Sequence, residues 1–155
     1  MSDWTPRLPD TLPATLHGSA ISAHGRALVF CGPSGSGKTS LALQMLALGA
    51  GLISDDLVCL EARDTEIMVQ HPKPTQPLQA LEARGFAILR TDLAPAAPLS
   101  AFVDMSKTSV HRVPTLQTQR FGTCEVPIFH KVDSAAFPAI LMHYLRHGLY
   151  DDRNR

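Results

Sequence analysis

Apolar residues in this chain fall into short runs separated by turn-forming residues, a pattern typical of many strands with few helices. The run from Arg26 to Cys31 is strongly apolar and has the composition of a buried strand. Ser19 to Ala23 alternates weakly between apolar and polar positions. His24-Gly25 lies between these two runs and is typical of a tight turn. The pattern therefore predicts a β-hairpin over these residues.

Longer segments without internal breaks predict helices. Ser40 to Leu48 contains neither Gly nor Pro, and it is apolar on nearly every side, which predicts a heavily buried helix ending near Gly49. Ala135 to His147 predicts a second helix, with Pro138 in its first turn. We also expect Leu78 to Ala83 to form a short helix before Arg84-Gly85.

The remaining apolar runs predict further strands, at residues 51–53, 57–60, 66–69, 86–89, 101–105 and 126–130. Prolines predict a loop over residues 71–77, and Ala-Pro-rich residues 91–100 predict a mobile connection. We expect an irregular segment over residues 1–14 and a polar tail over residues 150–155. The mixture predicts a single α/β domain over residues 1–155 with a mixed β-sheet.

Composition narrows the class of protein. The chain has 155 residues, and its 14 basic residues balance 14 acidic ones, so no net field favours nucleic acid or an anionic membrane. No apolar run approaches the roughly 20 residues that cross a bilayer, and the N-terminus lacks the apolar stretch of a signal peptide. Three widely spaced cysteines lack zinc spacing and disulfide parity. We therefore expect a cytoplasmic protein whose cysteines are core residues.

One segment carries a specific motif. The run Gly32-Pro33-Ser34-Gly35-Ser36-Gly37-Lys38-Thr39 matches G-x-x-x-x-G-K-[ST], between the predicted strand and helix. Its glycines allow successive N–H groups to turn inward and form a nest for an anion at a positive helix start. In such loops the lysine reaches the β- and γ-phosphates and the Thr hydroxyl binds Mg²⁺. The sequence therefore predicts a nucleotide or phosphate site, with Lys38 and Thr39 in these roles.

A pair of adjacent carboxylates follows the helix. Asp55-Asp56 stands seventeen residues after Lys38, where the next strand would end. Strand ends beside such a loop are where ligands bind in open α/β sheets. Adjacent side chains point different ways on an extended backbone, so one carboxylate can hold a metal ion while the other accepts a hydroxyl proton. A simple turn or helix cap is the alternative.

Three other residues are candidates for the same site. Glu82 is able to complete a Mg²⁺ shell, and Arg84 is able to neutralise charge on a moving phosphoryl group. Surface ion pairs have the same appearance in sequence. His17 would return towards the glycine-rich loop if the hairpin forms, although its spacing alone is also compatible with no role.

Together these segments resemble the catalytic domain of HPr kinase/phosphorylase, which phosphorylates a serine of HPr, the small phosphocarrier of the bacterial phosphotransferase system. The resemblance spans roughly His17 to Gly85 and combines four signatures in order. They are Leu16-His17-Gly18, the loop GPSGSGKT, Leu52-Ile53-Ser54-Asp55-Asp56-Leu57-Val58, and Leu81-Glu82-Ala83-Arg84-Gly85-Phe86-Ala87-Ile88. The loop alone occurs in many families, but the ordered set is specific.

The resemblance implies a protein serine kinase that depends on ATP and Mg²⁺ and acts on HPr or a related phosphocarrier. It implies that Asp55 accepts the proton of the incoming serine, and that Lys38 and His17 are active-site residues. It further implies that Thr39 and Glu82 bind Mg²⁺, and that Arg84 belongs to the catalytic segment around Glu82. The metal-holding carboxylate of the acidic pair would then be Asp56.

The chain also departs from the family pattern. Its Pro-Gly-Arg-Asn segment, which carries a catalytic arginine, should fall near Pro127 to Asp133, where this chain has no arginine. Whether Lys131 or His130 replaces it is open. We expect a short form, as occurs in alphaproteobacteria, without the N-terminal domain, the segment tied to dephosphorylation or the C-terminal helices. Kinase activity without phosphorylase activity is the resulting expectation, and homo-oligomer formation is left open.

Two alternatives to this interpretation are kept. One is a kinase of small metabolites, which would need no protein acceptor. The other is a module that senses a nucleotide or phosphate and lacks catalysis, which the absent arginine favours.

Overall fold

The computed structural model describes residues 8–150. Within them, eleven strands and two helices follow in the order β1 (Ala14–His17), β2 (Ser19–Ala23), β3 (Arg26–Cys31), α1 (Lys38–Ala47), β4 (Gly51–Ser54), β5 (Leu57–Arg63), β6 (Glu66–Gln70), β7 (Leu78–Ala83), β8 (Ala87–Asp92), β9 (Ala97–Thr108), β10 (Gln117–Phe121), β11 (Cys124–Lys131) and α2 (Phe137–His147).

Nine of these strands form one mixed sheet in the order β1-β5-β6-β9-β3-β2-β4, with β11 beside β9 and β10 beside β11. The pairs β3–β9 and β9–β11 are parallel, and the other pairs in this sheet are antiparallel. Strands β7 and β8 form a separate antiparallel hairpin. The glycine-rich loop leaves the carboxyl end of β3, at the centre of the sheet.

The two faces of the sheet bury separate hydrophobic clusters, as the alternation of side chains along a strand requires. In β3, Leu28 and Phe30 pack with the face that both helices cover, whereas Val29 and Cys31 pack on the opposite face. The helix-covered cluster also contains Leu81 of the β7–β8 hairpin. The hairpin is therefore anchored to the same core as α1, although it lies outside the main sheet.

Several predicted elements are confirmed. The hairpin of β2 and β3 forms with His24 and Gly25 at its turn, where both residues have positive φ. Helix α2 starts at Phe137 with a proline in its first turn. The predicted irregular segment ends at β1, and its first seven residues lie outside the described part, as do residues 151–155 of the predicted tail. No helix within residues 8–150 is long and apolar enough to cross a membrane.

The expected helix at Leu78–Ala83 is wrong, because this segment is strand β7. It pairs residue by residue with β8, and Leu81 is fully buried in the helix-covered cluster. Leu, Gln, Ala and Glu favour helix locally, but ladder pairing and the burial of one leucine outweigh that weak preference.

Two further expectations need correction. The predicted mobile connection at residues 91–100 is mostly strand, because β8 continues to Asp92 and β9 begins at Ala97 against β6. Helix α1 is not heavily buried on all sides, since its buried residues are Leu41, Ala42 and Met45. Of its other apolar side chains, Leu43 and Leu46 are half-buried and Ala47 is exposed.

Candidate functional site

The loop of residues 32–37, here called the glycine loop, joins β3 to α1. Gly35 and Gly37 have φ values of 84° and 97°, in the left-handed region that favours glycine. A Cβ atom added to Gly32 would lie 2.5 Å from Ser36 Oγ, so the backbone approaches this side chain as closely as glycine permits. The loop conformation therefore requires the glycines that the sequence motif specifies.

The glycine loop has unused hydrogen-bonding capacity. Ser36 Oγ is buried and has no hydrogen-bond partner among the described residues. Gly37, the N-cap residue before α1, provides no side-chain cap, and the first turn of α1 has no acidic residue. The first N–H groups of a helix lack partners within the helix and carry a partial positive charge. An uncapped helix start with free N–H groups fits the oxygens of a phosphate group.

Lys38 lies across the glycine loop. Its Nζ atom donates hydrogen bonds to the carbonyl oxygen atoms of Gly32 at 2.6 Å and Pro33 at 3.2 Å. Burial lowers the pKa of Lys38 from its usual value, while the carboxylates of Asp55 and Asp56 act in the opposite direction. The ammonium group is thus held at the mouth of the loop by two neutral carbonyl oxygens. An anion bound there would offer it a negatively charged hydrogen-bond acceptor in their place.

Asp55 faces the start of α1. Its Oδ1 atom accepts a hydrogen bond from Ser19 Oγ at 2.6 Å and one from Thr39 Oγ1 at 3.2 Å. Ser19 is almost fully buried at the beginning of β2, so the hydroxyl that holds the carboxylate belongs to a rigid strand. The arrangement directs a carboxylate towards the place where a phosphate would rest on the glycine loop.

Asp56 points in a different direction. Its φ value is 78°, and its Oδ1 atom lies 3.8 Å from Nδ1 of His17. About 80% of each of these two side chains is exposed. The adjacent carboxylates therefore diverge, as expected from the sequence, with Asp55 towards the glycine loop and Asp56 towards His17 at the rim.

Glu82 and Arg84 reach the site from the hairpin of β7 and β8. Both side chains are exposed. Arg84 Nη1 lies 3.9 Å from the position that a Cβ atom on Gly35 would occupy, so the guanidinium group stands over the glycine loop. The hairpin thus forms the wall of the site opposite β1 and β2.

A cleft of about 1130 Å³ contains these groups. The predicted residues that line it are His17, Gly32, Pro33, Ser34, Gly35, Gly37, Lys38, Thr39, Asp55, Asp56, Glu82 and Arg84. Ser36, which the motif also predicted, is not among the lining residues, and neither are His130 and Lys131. Within residues 8–150, no three His, Cys, Asp or Glu side chains are grouped closely enough to hold a metal ion. The cleft therefore collects nearly all the predicted site residues.

Sequence reasoning missed two residues of this site. Ser19 binds the carboxylate of Asp55, and Gln79 binds its backbone. Ser19 directly follows His17-Gly18 and is a polar residue at the start of a mostly apolar strand. That position could have identified it as a candidate site residue. Gln79 carried no signal, because the segment around it was predicted to be helical.

Comparison with known proteins gives a family match over the region that carries the cleft. The family model described as the HPr Serine kinase C-terminal domain matches residues 11–93, which is more than half of the chain. The chain belongs to this family. The matched region contains every residue that lines the cleft, from Thr15 in β1 to Arg84 after β7, and extends beyond the resemblance noted between His17 and Gly85.

Similar proteins carry the name HPr kinase/phosphorylase. One from Bordetella pertussis is 37% identical over 76 residues, which are 48% of this chain and 24% of that protein. One from Clostridium beijerinckii is 35% identical over 74 residues, again 48% of this chain and 24% of the relative. One from Clostridium perfringens is 28% identical over 95 residues, 61% of this chain and 30% of the relative. The chain thus spans about a quarter to a third of the length of these relatives.

A solved structure shares the fold. The Hpr(Ser) kinase/phosphatase from Coxiella burnetii matches 86% of this chain and 94% of its own, with a TM-score of 0.68 and 14% sequence identity. The mixed α/β architecture is therefore that of an HPr kinase-like domain.

Proposed function

We propose that this protein is an ATP- and Mg²⁺-dependent protein serine kinase that phosphorylates HPr or a related phosphocarrier. Family membership supports a kinase of this type. The observation that carries the proposal is the position of Asp55, whose carboxylate faces the glycine loop and is held by Ser19 and Thr39. A carboxylate in that position suits proton removal from an alcohol that attacks a terminal phosphate.

Nucleotide binding is assigned to the glycine loop. The uncapped start of α1 and the left-handed glycines before it fit phosphate oxygens. In the proposal, Lys38 leaves its carbonyl partners and binds the β- and γ-phosphates. The exchange replaces two neutral hydrogen-bond acceptors with charged oxygens, which form stronger hydrogen bonds with an ammonium group.

The Mg²⁺ site is assigned to Thr39, with Glu82 and Asp56 as the carboxylates that complete it. Hydroxyl and carboxylate oxygens are the hard donors that this ion prefers, and Mg²⁺ bound with phosphates needs only one or two protein carboxylates. When bound, Mg²⁺ would neutralise charge on the phosphate oxygens. The exposure of Glu82 and Asp56 leaves both carboxylates free to approach such an ion.

Phosphoryl transfer is assigned to four side chains. Asp55 accepts the proton of the serine hydroxyl as its oxygen attacks the γ-phosphorus in line with the leaving oxygen. Lys38 and Arg84 stabilise the negative charge on the transferred group, Lys38 from the loop and Arg84 from the hairpin. His17 stands beside Asp56 at the rim, where the phosphocarrier would approach.

The experiment that tests the proposal measures transfer of labelled phosphate from ATP to HPr. We expect Asp55→Asn to lower the transfer rate by at least about a hundredfold, the contribution of a positioned general base, with ATP binding by calorimetry largely retained. Asp64→Asn is the matched control, because Asp64 is exposed at the β5–β6 turn and does not line the cleft. Equal transfer by wild type and Asp55→Asn would refute the assigned base.

One observation favours a second candidate, a nucleotide-sensing module without catalysis. His130 and Lys131, which occupy the region of the family's missing arginine, do not line the cleft. The cleft then has one basic side chain fewer than the family pattern provides. ATP binding by the wild type with no transfer to HPr over hours would support this candidate, and turnover with HPr would exclude it.

A further inference from the structure

The side-chain amide of Gln79 forms two hydrogen bonds with the backbone of one residue, Asp55. Its Oε1 atom accepts a hydrogen bond from the Asp55 backbone N–H at 3.0 Å, and its Nε2 atom donates one to the Asp55 carbonyl oxygen at 2.6 Å. Gln79 is half-buried on β7, twenty-four residues further along the chain. The amide thus satisfies the backbone N–H and C=O groups of Asp55, as a neighbouring strand would do in a sheet.

Asp55 needs such a partner because it lies between strands. Strand β4 ends at Ser54 and β5 begins at Leu57, so no ladder continues through the turn. Backbone groups that are removed from water require hydrogen-bond partners. The next residue, Asp56, has a φ value of 78°, and its carbonyl oxygen accepts a hydrogen bond from Gly18 N. Gln79 therefore supplies both backbone partners at the residue whose carboxylate faces the glycine loop.

We propose that Gln79 is a positioning residue that fixes Asp55 for phosphoryl transfer and links it to the hairpin that carries Glu82 and Arg84. This inference rests on the proposed function. Both hydrogen bonds together restrict rotation of the Asp55 peptide groups, which a single hydrogen bond would not do. Rotation of that backbone would move the carboxylate away from Thr39 and from the path of an attacking hydroxyl.

The link also has a second consequence. Glu82 follows Gln79 by three residues on the same strand, and Leu81 between them is fully buried against the core that α1 helps to form. A displacement of β7 therefore moves Glu82 and Asp55 together. In this arrangement the proposed base and the proposed metal ligand keep their relative position, even though one lies in the β4–β5 turn and the other in β7.

Gln79→Leu removes both hydrogen bonds at nearly constant size. A misplacement of about 1 Å at a catalytic group costs about a hundredfold in rate, so we expect kcat to fall between about tenfold and about a hundredfold. We expect the Kd for ATP and the KM for ATP to change by less than about twofold, because the lost interaction acts on the reacting geometry rather than on nucleotide binding. Amide hydrogen exchange at Asp55 N–H should accelerate at least about tenfold, since its acceptor is lost.

Two further variants sharpen the test. Gln79→Glu keeps an acceptor for the Asp55 N–H but places a carboxylate oxygen against the Asp55 carbonyl oxygen. We expect its Asp55 amide to exchange more slowly than in Gln79→Leu, with kcat still reduced. Gln76→Leu is the matched control, because the Gln76 side chain is exposed and its hydrogen bond goes to the Leu78 carbonyl oxygen. This control should retain both kcat and the wild-type exchange at Asp55.

An unchanged kcat in Gln79→Leu would overturn the positioning role, as would an ATP affinity that falls in parallel with kcat. Unchanged exchange at Asp55 would overturn the hydrogen-bond assignment itself. Should Gln79→Leu fail to fold, Gln79→Met, which also lacks both hydrogen-bonding groups at similar length, provides the same two readouts. A wild-type protein that does not transfer phosphate to HPr would refute the proposed function, and the exchange measurement would still decide whether Gln79 holds Asp55.

Discussion

Leu81 provides the most direct test of whether the β7–β8 hairpin is a fixed wall of the cleft. Its side chain is fully buried, in the same cluster as Leu41 and Met45 of α1. Truncation of a buried leucine to alanine costs about 2–5 kcal/mol, with smaller losses where the surroundings can close around the cavity. The hairpin has only two strands and can move inward, so we expect about 2–3 kcal/mol for Leu81→Ala.

The control for this change lies on the partner strand of the same hairpin. Ile88 is 72% exposed and stands opposite Glu82 in the ladder, so Ile88→Ala should change the free energy of unfolding by less than about 0.5 kcal/mol. Urea unfolding followed by circular dichroism measures both variants. For a chain of this length, the expected loss in Leu81→Ala lowers Tm by about 4–12 °C.

Equal losses in the two variants would refute the reasoning, because they would mean that burial does not distinguish the two faces of the hairpin. A loss below about 1 kcal/mol in Leu81→Ala would show that the hairpin contributes little to the core, contrary to a fully buried leucine. In that case Glu82 and Arg84 would not be carried by a rigid element.

Two more predictions concern the glycine loop and its strand. Gly32→Ala should weaken ATP binding by at least about tenfold in calorimetry, because its Cβ would lie 2.5 Å from Ser36 Oγ and the loop must shift. Gly25→Ala is the control, because a Cβ atom at Gly25 would meet open space, and it should leave ATP binding unchanged even though the φ value of 75° disfavours alanine. Equal weakening of ATP binding in both variants would contradict the steric argument. Burial raises the pKa of Cys31 to about 12, so its thiol stays protonated at neutral and mildly alkaline pH and gains thiolate only as the pH approaches that value. Iodoacetamide at mildly alkaline pH should therefore label Cys59 but not Cys31 in the native protein, and mass spectrometry of native and urea-unfolded samples checks this; native labelling of Cys31 would contradict its burial.

Local sequence was sufficient for the elements whose physics is local. The β2–β3 hairpin follows from two apolar runs around a turn dipeptide, and its residues His24 and Gly25 have the expected positive φ. The glycine loop follows from residues that tolerate left-handed angles between a strand and a helix. The sequence also predicted that the Asp55 and Asp56 side chains point in different directions, although they do so in a turn, where Asp56 has a φ value of 78°, and not along an extended strand.

Other features depended on contacts between residues far apart in the chain. The segment Leu78–Ala83 has the composition of a helix, yet it is a strand because it pairs with β8 and buries Leu81 against α1. No local pattern indicated that the Gln79 amide would meet the Asp55 backbone.

The sequence alone was enough to place the glycine loop, the acidic pair and their order along the chain, because motif chemistry and backbone angles act over a few neighbouring residues. Only the folded molecule decided which carboxylate faces that loop, which hydroxyl and which amide hold it, and that the cleft's far wall is a β-hairpin. These outcomes depend on long-range strand pairing and on burial in a shared core, where the sum of many distant contacts exceeds the preference of any single segment.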